Sequence, residues 1–310
     1  MYLTQAAPSV LVPSAAFSPL ETAVLQAVAY ADVFDYALTV PEIQRYLVGL
    51  RAALPEVEHA IAGLTPDMLI TRRGFVVLSH HEHAVETRAQ RAAHAATLWP
   101  KAQHYGNLIG DLPFVRMVAI TGALAVDNVQ PGADIDYLIV TEPGRLWLCR
   151  ALIIALVRLA EHQGAIVCPN YLLSERALIL DERNLYTAHE LAQMVPISGQ
   201  ATYMRMRQLN SWADQFLPNA SHAPRPLAPR PPRMRLARSL AEASLRTPLG
   251  GWAERWEMGR KIRKLSQRRA RAAETAFCAD WCKGHFEGHG QRTLDAYHTR
   301  LRTIGLQVTP

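Results

Sequence analysis

The chain has 310 residues, 49% hydrophobic and 19% charged, which excludes wholesale disorder. With 17 Gly and four Cys it is neither collagen-like nor a disulfide scaffold, and its length predicts two or three modules. The net charge of +6 is uneven, because Arg225 to Arg271 carries 14 Lys and Arg against three Glu, or +11, leaving −5 elsewhere.

The longest apolar stretch, Leu146 to Ala160, contains Arg150 and Arg158. It falls short of the ~20 apolar residues a bilayer span needs, so no membrane partner is expected. The first residues, MYLTQAAPSVLVPS, lack a basic region before an apolar block. With few, irregularly spaced cysteines this points to the reducing cytoplasm.

Residues 1–18 read as a flexible arm. Ser18 then caps a helix to about Ala31, with Glu21 completing a capping box. Thr39 and Glu42 repeat that signal for Val40–Leu47, and Pro55 suits the first turn of a third helix ending near Leu64. Met68–Ile70 and Phe75–Leu78 read as strands joined by the turn Thr71-Arg72-Arg73-Gly74. Three helices followed by a hairpin define a winged-helix module over 19–80. Its third helix carries Glu56 and Glu58 and no Lys or Arg, a poor surface for phosphates, so packing or partner binding is expected before DNA reading. An Ala-rich helical stretch from His81 to about Tyr105 follows, its histidines read as solvated.

Val115 to Ile120 is an apolar run ending in Thr121-Gly122-Ala123, and Asp134-Ile135-Asp136 precedes the apolar run Tyr137 to Val140. Residues two apart on a strand share a face, so Asp134 and Asp136 project together and repel unless a cation lies between them. Hard oxygen pairs of this kind suit Mg²⁺ or Mn²⁺ carrying substrate phosphates. A glycine turn before a helix N-terminus lets phosphate approach backbone N–H groups. Through Thr121 to Arg150 the sequence resembles the polymerase β-like nucleotidyltransferase superfamily, in the bacterial subgroup that joins a winged helix to such a domain.

The resemblance implies a mixed sheet flanked by helices over 81–217, an α/β (α+β) class. It also implies transfer of a nucleoside monophosphate from an NTP to an acceptor hydroxyl. Asp134 and Asp136 would be the metal-binding and catalytic carboxylates, with Thr121, Gly122, Ala123 and Arg150 around the nucleotide. Two departures stand out. Ala123 replaces the usual second Gly or Ser of the turn, and the position best matching the third acid, on the strand-like 165–173, is Asn170. An Asn offers a carbonyl ligand but takes no proton at neutral pH. Glu175 or Asp181 would then have to substitute. The alternative is a catalytically weakened nucleotide-binding or DNA-binding regulator. Arg150 also reads as a plain helix residue, and Trp147 as core.

Thr187 is expected to cap a helix over Ala188–Val195, ended by Pro196. Pro fills six of the fifteen positions 218–232, a linker. The basic helical region 233–310 follows, with helix over Met234–Ala276. Trp252 and Trp256, four apart, share a face turned to the core or to a protein partner, and the 225–271 segment is the candidate surface for nucleic acid. Cys278, Cys282, His285 and His289 have zinc-ligand types, but ends eleven residues apart span ~16 Å on one helix and would not converge. Buried thiols and polar histidines are the expectation.

Overall fold

The computed structural model describes residues 17–162, 166–225, 235–266, 277–283 and 288–306. It is a mixed α/β structure with two sheets. Most of the 1–18 arm and nearly half of the 218–232 linker, together with His285, lie outside the described residues.

Helix α1 (Pro19–Asp32) starts as its capping box dictates: Ser18 Oγ accepts from the Glu21 N–H at 3.3 Å, and the Glu21 carboxylate accepts from the Ser18 N–H at 2.7 Å. Thr39 and Glu42 do the same for α2 (Val40–Arg45). After α3 (Leu54–Gly63), β2 (Leu69–Arg72) and β3 (Phe75–Leu78) form a hairpin, with β1 (Leu38–Thr39) on its other side, in the antiparallel order β1-β3-β2. The turn is tighter than the sequence implies. Only Arg73 and Gly74 leave the ladder, both at positive φ as a two-residue hairpin turn needs, while Arg72 pairs with Phe75.

Helix α4 (His83–Asp111) runs further than expected and leads to the second sheet. That sheet contains β4 (Val115–Ile120), β5 (Ile135–Thr141), β6 (Val167–Ser174), β7 (Val195–Ser198) and β8 (Trp281–Lys283) in the order β7-β4-β5-β6-β8. The β5–β6 pair is parallel and the other pairs are antiparallel. Between the strands lie α5 (Gly122–Ala125), α6 (Leu146–His162) and α7 (Leu185–Gln193). Helices α8 (Gln200–Leu209), α9 (Ala213–Phe216), α10 (Arg235–Leu245), α11 (Pro248–Ser266) and α12 (His289–Thr303) complete the described elements.

Three further expectations change. Asn184, not Thr187, caps α7, accepting from the Thr187 N–H at 2.9 Å. Pro196 sits inside β7 instead of merely stopping a helix, which an edge strand tolerates because one side of it has no ladder to supply. The 233–310 region is not purely helical: α10 and α11 are separate helices on either side of Arg246-Thr247, and β8 extends the central sheet against β6.

Strand alternation divides the central sheet between two cores. Ile135, Tyr137 and Ile139 join the cluster containing Trp147, Cys149 and Ile153 of α6. Leu138 and Val140 join the other, where Leu25 and Val28 of α1, Leu185 and Leu191 of α7, and Tyr297 and Leu301 of α12 meet. The 19–78 module therefore shares its core with one face of the central sheet.

Candidate functional site

Asp136, between Ile135 and Tyr137, takes the face of β5 that also carries Leu138, the face toward α1 and α7. Asp134 lies just before the strand begins. Both line a cavity of about 510 Å³, as do Gly122, Ala123 and Asn170. Four of the sequence-predicted residues thus stand with Asp136 at one cavity.

The backbone explains the convergence. The Thr121 N–H donates to the Asp136 carbonyl at 3.1 Å, holding the end of β4 beside the start of β5. Gly122 follows at φ +64°, and a Cβ there would lie 2.6 Å from Asp136 Oδ2. Only glycine leaves room for the carboxylate in that conformation. In β6, Cys168 pairs with Asp136 and Tyr171 with Leu138, so the strand carries an extra residue between these partners. Both Cys168 and Asn170 line the cavity.

One oxygen from each aspartate and the Cys168 sulfur lie within 4.8 Å of one another. Among the described residues no other group of three or more His, Cys, Asp or Glu side chains is brought together in this way. Burial first, then the charge of Asp134, then that of Glu190, push the Asp136 carboxyl up to about 7, against the hydrogen bonds of Cys168 and Asn170. Burial and the two aspartates also push the Cys168 thiol up. A carboxylate destabilised by burial and by a like charge beside it is a place where a divalent cation is favoured. The donor set and the glycine cradle both fit one.

Beyond the acids, aromatic rings from three separate parts of the chain wall the cavity. Tyr30 and Tyr46 come from the N-terminal module, Tyr186 and His189 from α7, and His289 from α12. His189 is 3% exposed and lies flat on Tyr30, ring centroids 3.7 Å apart, and burial pulls its pKa down to about 3, so the ring is neutral. Among the described residues its Nε2 has no hydrogen-bond partner. Sequence reasoning misses Cys168, His189 and Glu190. Tyr186, His189, Glu190 and Gln193 all line the cavity, and that spacing marks one face of a helix. Nothing local says that this face meets the aspartates.

Several sequence-derived assignments fall elsewhere. Arg150 does not line the cavity. It lies on α6, across the sheet, with its guanidinium carbon 5.9 Å from the Trp147 ring centroid and a hydrogen bond to Cys282. Thr121 is buried and does not line the cavity. Glu175 stands 3.9 Å from Arg116 Nε, and neither it nor Asp181 lines the cavity. Cys282 is buried in β8 while His289 lines the cavity.

The basic surfaces are partly neutralised from within. Arg72 and Arg73 of the hairpin turn pair with Glu82 and Glu86 at 3.2–3.6 Å. In the 225–271 segment, Arg238 donates to the Gly110 carbonyl and to Glu242, and Arg246 to Glu142. Trp252 and Trp256 are 60% and 55% exposed, so they face outward and not into the core. Among the described residues no helix is long and apolar enough to cross a membrane. Compared with family models, curated proteins and solved structures, the chain matches none.

Proposed function

We propose that this chain is a divalent-cation-dependent nucleotidyltransferase, moving a nucleoside monophosphate from an NTP to an acceptor hydroxyl. In this reading residues 19–78 are a winged helix and the β4–β7 region is a nucleotidyltransferase-type domain. The observation that carries it is the Asp134–Asp136 pair beside Gly122 at one cavity. Asp134 and Asp136 would hold Mg²⁺ or Mn²⁺, which when bound offsets charge on the phosphate oxygens. Gly122 and Ala123 offer backbone N–H groups to the triphosphate and leave the space it needs. Arg150 has no part, being across the sheet.

The cavity's size suits a nucleotide, since about 510 Å³ lies within the ~300–1,000 Å³ usual for small-molecule sites. Nucleic acid on the 225–271 surface is a less favoured acceptor, as several of its arginines are engaged internally. A second reading, a nucleotide-binding regulator with weak turnover, is supported by Asn170, which lines the cavity with an amide that takes no proton. Pyrophosphate release separates the two. With Mn²⁺, each NTP and a panel of hydroxyl acceptors, the transferase reading expects release that Asp134→Asn abolishes. Tight Mn²⁺–NTP binding with no release across the panel would favour the regulator.

A further inference from the structure

Beyond its hydrogen bonds to the aspartates, Cys168 adds no ligand to a site made only for a hard cation. It is the β6 residue paired in parallel register with Asp136, so the two side chains stand next to each other on one face of the sheet. A buried thiol is usually a small apolar filler, yet this one is half-buried with its sulfur beside two carboxylates. Mg²⁺ takes oxygen ligands in an octahedral shell and gains nothing from sulfur, whereas thiolate draws Zn²⁺ and its softer relatives.

We infer that Asp134, Asp136 and Cys168 form a mixed oxygen–sulfur site for a borderline or soft divalent cation, so that Zn²⁺ competes with Mg²⁺ for the same carboxylates. This rests on the proposed reading of Asp134 and Asp136 as cation ligands. The spacing suits it: Zn–O near 2.1 Å and Zn–S near 2.3 Å put tetrahedral donors about 3.5 Å apart. The three donors already lie within 4.8 Å, and Asp134, though exposed, already hydrogen-bonds the Cys168 thiol. Asn170 lines the same cavity and donates a hydrogen bond to Asp136. On coordination the S–H bond breaks, the electron pair stays on sulfur as the metal ligand, and the proton leaves to solvent. No oxidation or reduction is involved.

Cadmium and manganese are the probes, used on the full chain carrying Cys278→Ser to remove the exposed thiol. Cd²⁺ titration should produce a sulfur-to-cadmium charge-transfer band in the ultraviolet at one equivalent. Cys168→Ser and Cys168→Ala should each abolish the band and weaken Cd²⁺ by roughly tenfold or more, the lower bound for losing even an outer-shell partner. Mn²⁺ affinity should stay within about twofold, since oxygen ligands suffice for it. Zn²⁺ should displace Mn²⁺ from the parent at lower concentration than Mg²⁺ does. Absence of the band in the parent, its survival in both Cys168 variants, unchanged Cd²⁺ affinity in them, or Zn²⁺ displacing no better than Mg²⁺ overturns the inference while leaving the carboxylate reading standing. Asp136→Asn tests that reading separately: if this variant keeps both Mn²⁺ and Cd²⁺, the carboxylates are not ligands.

Discussion

Gly122 is coupled to Asp136 by the space it leaves for the carboxylate. In Gly122→Ala the new methyl meets Asp136 Oδ2 at 2.6 Å while the backbone is held at φ +64°. The conformation alone costs an L-residue about 1–2 kcal/mol, and relief of the clash must move the carboxylate. Urea unfolding should show a loss of that order, and Mn²⁺ calorimetry a clear fall in affinity; wild-type values of both would separate Gly122 from the site. Asp136 also makes stability depend on pH. Its carboxyl binds a proton up to about pH 7 when folded, against about 4 when unfolded. Between those values the native state holds more protons, so the stability this group contributes is full below about pH 4 and lost as pH rises through 7. Asp136→Asn has no such titration. With EDTA present, its Tm relative to wild type should climb from pH 5 to pH 8, and a constant offset would contradict the burial of Asp136.

At the scale of elements, caps and long apolar strands are legible in the sequence because both are local. Ser18, Glu21, Thr39 and Glu42 satisfy helix N–H groups within three residues of themselves. Short edge strands are not legible. β7 and β8 have four and three residues, too few for a period, and β7 contains Pro196. The acids of the basic segment look minor in the sequence, yet they are its anchors. Glu254, 6% exposed, accepts from the Trp147 N–H at 3.0 Å and the Leu148 N–H at 2.6 Å, tying α11 to the start of α6. Glu254→Ala strands both N–H groups and should cost about 2–3 kcal/mol in urea unfolding. Mn²⁺ affinity should be unchanged, because α6 lies across the sheet from the aspartates. A neutral substitution would show that this cap is dispensable.

Across the whole molecule, the sequence discloses the Asp134–Asp136 pair and the glycine turn, whose spacing is set by two neighbouring strands. The rest of the cavity depends on long-range packing. Tyr30, His189 and His289 come from helices far apart in the chain, joined by a core that runs from α1 through the sheet to α12. Interactions such as those of Arg88, which donates to the Val126 carbonyl and to Glu42 and lies 4.0 Å from the Tyr36 ring centroid, fix the N-terminal module over the site. No periodicity announces such contacts. The central claim, that this cavity holds a nucleotide through a divalent cation on the paired aspartates, is tested most directly by calorimetric titration of a non-hydrolysable NTP into wild type and Asp136→Asn, with Mn²⁺ and with EDTA. Binding is predicted only to wild type and only with Mn²⁺; equal binding in EDTA, or to Asp136→Asn with Mn²⁺, would contradict it.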